Sequence, residues 1–155
     1  MKKLLTILFA LLISGCEEEF HNSDIETLSV DYSECKNEKS GLFDEYIEKY
    51  IISFVDDGIY KIEHQNAVFN CCLTKGIAID VYVKNDTIYF CDYEKEIGLC
   101  DCICPYDALA EVGNIESGKH VLCFKTGDGY WEPVELNFQK DMYEEILVSE
   151  LTDNW

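Results

Sequence analysis

Nine cysteines fall within 155 residues, and their spacing constrains the chain more than any other feature. Cys16 stands alone near the N-terminus; the others are Cys35, Cys71, Cys72, Cys91, Cys100, Cys102, Cys104 and Cys123. An even set of eight points to disulfides in an oxidising compartment, with about a hundred possible connectivities. Cys71 and Cys72 are adjacent, and bridging them to each other needs a strained ring. On a strand they face opposite ways, so each needs its own partner. Cys100, Cys102 and Cys104 alternate and share one face if the segment is extended, with Asp101 and Ile103 opposite and Pro105 closing the run.

Two physical uses fit this sulfur. One is stapling, each bridge stabilising by about 2–4 kcal/mol through the unfolded chain. The other is a soft-metal site, zinc or copper(I), held by Cys72, Cys102 and Cys104 with His64 as a nitrogen ligand. The paired C-x-x-C knuckles of structural zinc are absent, and oxidising surroundings favour bridges. Disulfides are the leading expectation, with no cofactor; metal is the alternative.

The charge excludes one class of partner. Acidic residues number 31 against 12 lysines, and there is no arginine. Removing Lys2 and Lys3 with residues 1–15 leaves ten lysines and a net charge of −21. Such a field repels phosphate backbones and anionic headgroups, so nucleic acid is excluded as a partner. Ten tyrosines and eight phenylalanines supply a sizeable core, so the chain reads as folded.

The N-terminus reads as an address. Lys2 and Lys3 precede the apolar run from Leu4 to Ile13, which is too short to span a bilayer permanently but right for a signal-peptide core. Leu12-Ile13-Ser14-Gly15-Cys16 follows. It resembles the lipobox of bacterial lipoproteins, which implies a diacylglyceryl cysteine at Cys16, cleavage before it, and acylation of the new amino group with palmitate-like chains. Several chains at about 0.8 kcal/mol per buried methylene make the anchor stable. Glu17-Glu18-Glu19 resembles the surface-export signal of Bacteroidetes lipoproteins and implies an outer-membrane, surface-exposed cell-envelope location. The expected domains are a cleaved signal peptide (1–15), a lipidated cysteine with a polar tether (16–26), and a single disulfide-rich β domain (27–155).

Periodicity in the body is mainly that of β structure. Leu28, Val30 and Tyr32 alternate. Asp56-Asp57-Gly58 joins Tyr50–Val55 to Ile59–His64 as a hairpin, and Asn85-Asp86 joins the strand at Ile77–Lys84 to Thr87–Cys91. Ala67–Cys72 reads as a separate strand, and further runs cover Leu109–Ile115, Lys119–Lys125 and Pro133–Phe138. Leu42, Phe43, Tyr46, Ile47 and Tyr50 recur at helical spacing, suggesting a short helix near 41–49. Tyr143 to Leu151 fits either a helix turn or an edge strand. Seven to nine short strands indicate an antiparallel β-sandwich. Glu111 to Gly118 leading into a β run resembles the late strands of immunoglobulin-like and fibronectin-like domains.

His64, Asn66 and Asn70-Cys71-Cys72, followed by Cys100-x-Cys102-x-Cys104-x-Tyr106-Asp107, resemble a recurring uncharacterised Cys-rich module in lipoproteins of Bacteroidetes-type bacteria. The resemblance would cover roughly residues 48 to 140 and carries no activity. No nucleophile elbow, HExxH, P-loop or dinucleotide fingerprint is present, and His64 reads foremost as a hydrogen-bonded structural histidine. Tyr130 and Trp131 suggest core packing or an aromatic platform for a glycan or protein. The chain is thus expected to be a membrane-anchored, non-enzymatic binding or structural module, with an envelope protein or glycan as partner and metal handling as the alternative.

Overall fold

The computed structural model describes residues 25–36, 46–96, 100–126 and 129–151. Among these residues ten strands form two facing sheets. The expected signal peptide, Cys16 and most of the tether lie outside the described residues. The first sheet holds β1 (Glu26–Tyr32), β2 (Lys49–Asp56), β3 (Ile59–Asn70), β6 (Ile103–Gly113) and β10 (Tyr143–Leu147), in the order β1-β6-β3-β2-β10. The second holds β4 (Ile77–Lys84), β5 (Thr87–Glu94), β7 (Gly118–Thr126), β8 (Gly129–Tyr130) and β9 (Val134–Phe138). Here β4, β5 and β7 lie side by side, and β8 and β9 pair in succession along the far edge of β7.

The expected β-sandwich is what the chain forms. It is antiparallel throughout except that β5 and β7 run parallel. Turn chemistry sets the hairpins. Gly58 has φ +70° after Asp57, and Asn85 and Asp86 take φ +51° and +60°. Two consecutive left-handed residues twist with the strands they join.

Two stretches differ from the sequence expectation, and a third resolves an alternative that it left open. Leu42, Phe43 and the rest of 41–45 lie outside the described residues, residues 46–48 are irregular, and Lys49 and Tyr50 open β2 rather than ending a helix. The last segment is an edge strand, β10, followed by a 3-10 turn at Val148–Glu150. Finally, Ile59–His64 and Ala67–Asn70 are one strand interrupted by a bulge, where Gln65 and Asn66 stand against Asp107. Asn66 takes φ +59° there, a conformation asparagine tolerates better than most residues. Its backbone N–H donates to Asp107 (3.1 Å), its side-chain amide donates to the Ile47 carbonyl (2.7 Å), and its carbonyl accepts from Lys36 (2.7 Å).

The core lies between the sheets. Ile62, Ala108, Ala110 and Val112 of the first sheet meet Ile88, Phe90, Leu122 and Phe124 of the second, all essentially without solvent exposure. Tyr50 is sandwiched at its centre, its ring 3.9 Å from Phe124 and 4.1 Å from the His64 imidazole.

Candidate functional site

Six of the eight body cysteines pair. Cys35 bonds Cys104, Cys71 bonds Cys102 and Cys72 bonds Cys100, with Cα atoms 5.7, 5.6 and 6.1 Å apart. Cys71 and Cys72 do take separate partners. The shared face expected for the alternating trio does not form, because Cys104 enters β6 and the core while Cys100 and Cys102 precede it. The sulfur atoms of Cys71, Cys100 and Cys102 lie within 4.8 Å of one another, and those of Cys100 and Cys102 are 3.4 Å apart.

Cys91 and Cys123 do not bridge, which corrects the expectation of eight paired cysteines. They sit on the neighbouring parallel strands β5 and β7 but face Lys125 and Tyr89 instead of each other. The Cys91 thiol points to the Tyr82 hydroxyl and that of Cys123 to the Trp131 carbonyl. Burial pushes both thiols above their ordinary pKa, so neither is a ready nucleophile.

His64 is not brought to the sulfur. Its Nδ1 lies 2.5 Å from Asp92 Oδ2, its Nε2 lies 2.9 Å from Glu48 Oε1, and the side chain is fully buried. The proposed ligand set of His64, Cys72, Cys102 and Cys104 is therefore not assembled. Burial works against charge on this imidazole, but the negative charge of Asp92 and the hydrogen bonds that both carboxylates accept from it outweigh burial and raise the pKa to about 9. His64 is an imidazolium at neutral pH, donating from both nitrogens. It has no free atom with which to accept a proton from a substrate. Burial and the Asp92 charge also hold the Tyr50 phenol well above its usual pKa, and that hydroxyl pairs with Thr126 Oγ1 at 3.0 Å.

The pairing of β5 with β7 stops at Asp92 and Thr126, while β5 continues to Glu94. A cleft of about 840 Å³ opens there. Phe69 and Ile103 contribute from the first sheet; Asp80, Tyr82, Tyr93 and Lys125 contribute from the second. Asp92 also lines it, with Oδ2 spent on His64 and Oδ1 buried without a partner among the described residues. Glu94 accepts the Asn70 backbone N–H at 2.5 Å through Oε1, while its Oε2 is buried and likewise unpartnered. From the cleft a tyrosine face runs across the second sheet. Tyr82 stacks on Tyr89 at 5.0 Å, Tyr130 stands edge-on 6.4 Å further, and the Lys125 ammonium lies 4.8 Å over the Tyr130 ring.

No family model, curated protein or solved structure matches this chain. The site must be read from its own chemistry.

Sequence reasoning found His64, the pairing cysteines and Tyr130, and missed Asp92, Glu94 and Glu48. The signal was present in part. Ile88, Phe90, Asp92 and Glu94 alternate along β5, so the phase that buries Phe90 carries two carboxylates inward. Ending that strand at Cys91 hid them. Trp131 packs against the core, so the aromatic face belongs to Tyr82, Tyr89 and Tyr130 instead of to the Tyr130-Trp131 pair.

Proposed function

We propose that this protein is a lipid-anchored, non-enzymatic binding module of the bacterial cell envelope, and that it holds its ligand in the cleft beside Asp92. The observation that carries the binding role is the buried carboxylate lining an open cleft with one oxygen left unpaired. Native proteins leave few such atoms unsatisfied unless something outside the chain completes them. The binding role is favoured over catalysis because the buried imidazole has both nitrogens occupied and the free thiols are held protonated.

Export is supported by three disulfides, which persist outside the reducing cytosol. The lipobox-like residues ending at Cys16 supply the anchor. Labelling cells with an alkyne fatty acid tests it: the wild type takes the label and Cys16→Ala does not. Label retained by Cys16→Ala contradicts the anchor. The cleft is tested with Val68→Trp, because Val68 is exposed on its wall and tolerates a larger side chain. Immobilised wild type should retain a small molecule from envelope extract that the variant releases. Equal retention, or none by either protein, contradicts the binding role.

Metal handling keeps one observation in its favour, the three sulfur atoms within 4.8 Å. It requires reduction of both disulfides at that corner. Metal content of protein purified with and without a dithiol reductant separates the two readings.

A further inference from the structure

We infer that the cleft takes an aliphatic primary ammonium group, bound between Asp92 and Glu94; this rests on the binding role above and specifies its ligand. Asp92 is only 1% exposed, and among the described residues its Oδ1 has no hydrogen-bond partner. Glu94 Oε2 is in the same position. Alternate residues of one strand stand about 7 Å apart. A group bearing several N–H bonds, each reaching about 2.8 Å to a carboxylate, serves both oxygens once the side chains lean together.

Charge and shape point the same way. Asp80, Asp92 and Glu94 line the cleft, and among its described lining residues Lys125 alone is a cation, so an anionic ligand is disfavoured and a cation welcomed. Phe69 and Ile103 offer apolar contact to a hydrocarbon stem. A bare metal ion fits less well: among the described residues only Cys71, Cys100 and Cys102 gather three ligand atoms closely enough, and no carboxylate trio does. A quaternary ammonium carries the same charge but offers no N–H, and leaves both oxygens unpaired. That difference is the test.

The full lipidated protein in non-ionic micelles is titrated with n-butylammonium, tetramethylammonium, n-butanol and a capped Gly-Lys-Gly peptide, read by protein NMR shifts at Asp92, Glu94 and Thr126. Butylammonium or the peptide should bind at least about 10-fold more tightly than tetramethylammonium or butanol. Butylammonium ahead of the peptide identifies a free amine as the source, and the reverse order identifies a lysine side chain of a partner. Glu94→Gln keeps an oxygen for the Asn70 N–H but loses the charge; it should weaken ammonium binding about 10- to 100-fold with the unfolding temperature unchanged. Equal binding of both cations, unaltered by Glu94→Gln, would mean diffuse attraction to an acidic chain and would overturn the inference. So would butanol binding as well as butylammonium. If no probe binds while Val68→Trp still releases a ligand held by the wild type, the ammonium assignment fails alone. If that ligand is also absent, the binding role fails with it.

Discussion

Cys71 and Cys72, just past the end of β3, are tied to Cys102 and Cys100 through sulfur. Earlier on the same strand, His64 is held by two carboxylates and no covalent bond. The bulge at Gln65 and Asn66 separates the two regions. The stapled corner is partly exposed and gains its stability by restricting the unfolded chain, so it is indifferent to pH but sensitive to reductant. The imidazolium centre is buried and gains its stability from charge pairing, so its sensitivities are reversed. A binding site next to such a centre keeps its carboxylate fixed in place without a covalent tie. Asp92 belongs to both: one oxygen is held by His64, the other is buried without a partner among the described residues, and the residue lines the cleft.

The largest effect should come from the longest covalent tie. Cys35 and Cys104 are 69 residues apart, and replacing both with alanine should cost about 4 kcal/mol in urea unfolding by loop-closure entropy. A loss below about 1 kcal/mol would show that the bridge does little of the holding.

Next comes pH. The pKa of His64 is raised from 6.5 to about 9 in the folded chain. Its stabilising contribution is therefore complete below pH 6.5 and is lost as pH climbs through 9. Over that window unfolding free energy should fall by roughly 3 kcal/mol. The fall should shrink in Asp92→Asn, which removes the main opposing charge. A pH-independent unfolding curve between 7 and 9 would erase the contrast between the two regions.

The smallest effect sharpens the comparison within the stapled corner itself. The Cys72–Cys100 bridge lies inside the loop already closed by Cys71–Cys102, with separations of 28 and 31 residues. Once the outer bridge exists, the inner one closes only a short additional loop. Replacing Cys72 and Cys100 together should then cost about 2 kcal/mol, half the loss expected for the Cys35–Cys104 tie. Comparable losses from the inner and the Cys35–Cys104 pairs would mean that the corner's packing, rather than chain entropy, carries its stability.

The two regions also differed in how far the sequence revealed them. Alternation and the Asp57-Gly58 and Asn85-Asp86 turns disclosed the sandwich and two hairpins, because the responsible signals are local. The separate partners of Cys71 and Cys72 followed from adjacency alone. The continuity of β3 did not, since the left-handed Asn66 is held by Lys36 and Asp107, 30 and 41 residues away. Nor did the His64 centre. Glu48 and Asp92 lie 16 and 28 residues from it, and charged residues in alternating strands read first as solvated ones. Cys91 and Cys123 looked like a pair by count, and only the strand register separates them.

The central claim is that two carboxylates hold a buried imidazolium, fixing Asp92 beside the cleft. Nitrogen NMR of His64 across pH 5 to 11 tests it most directly. Both ring nitrogens should remain protonated through pH 8, with a titration midpoint near 9. A midpoint near 6.5, or a neutral ring at pH 7.5, would contradict it.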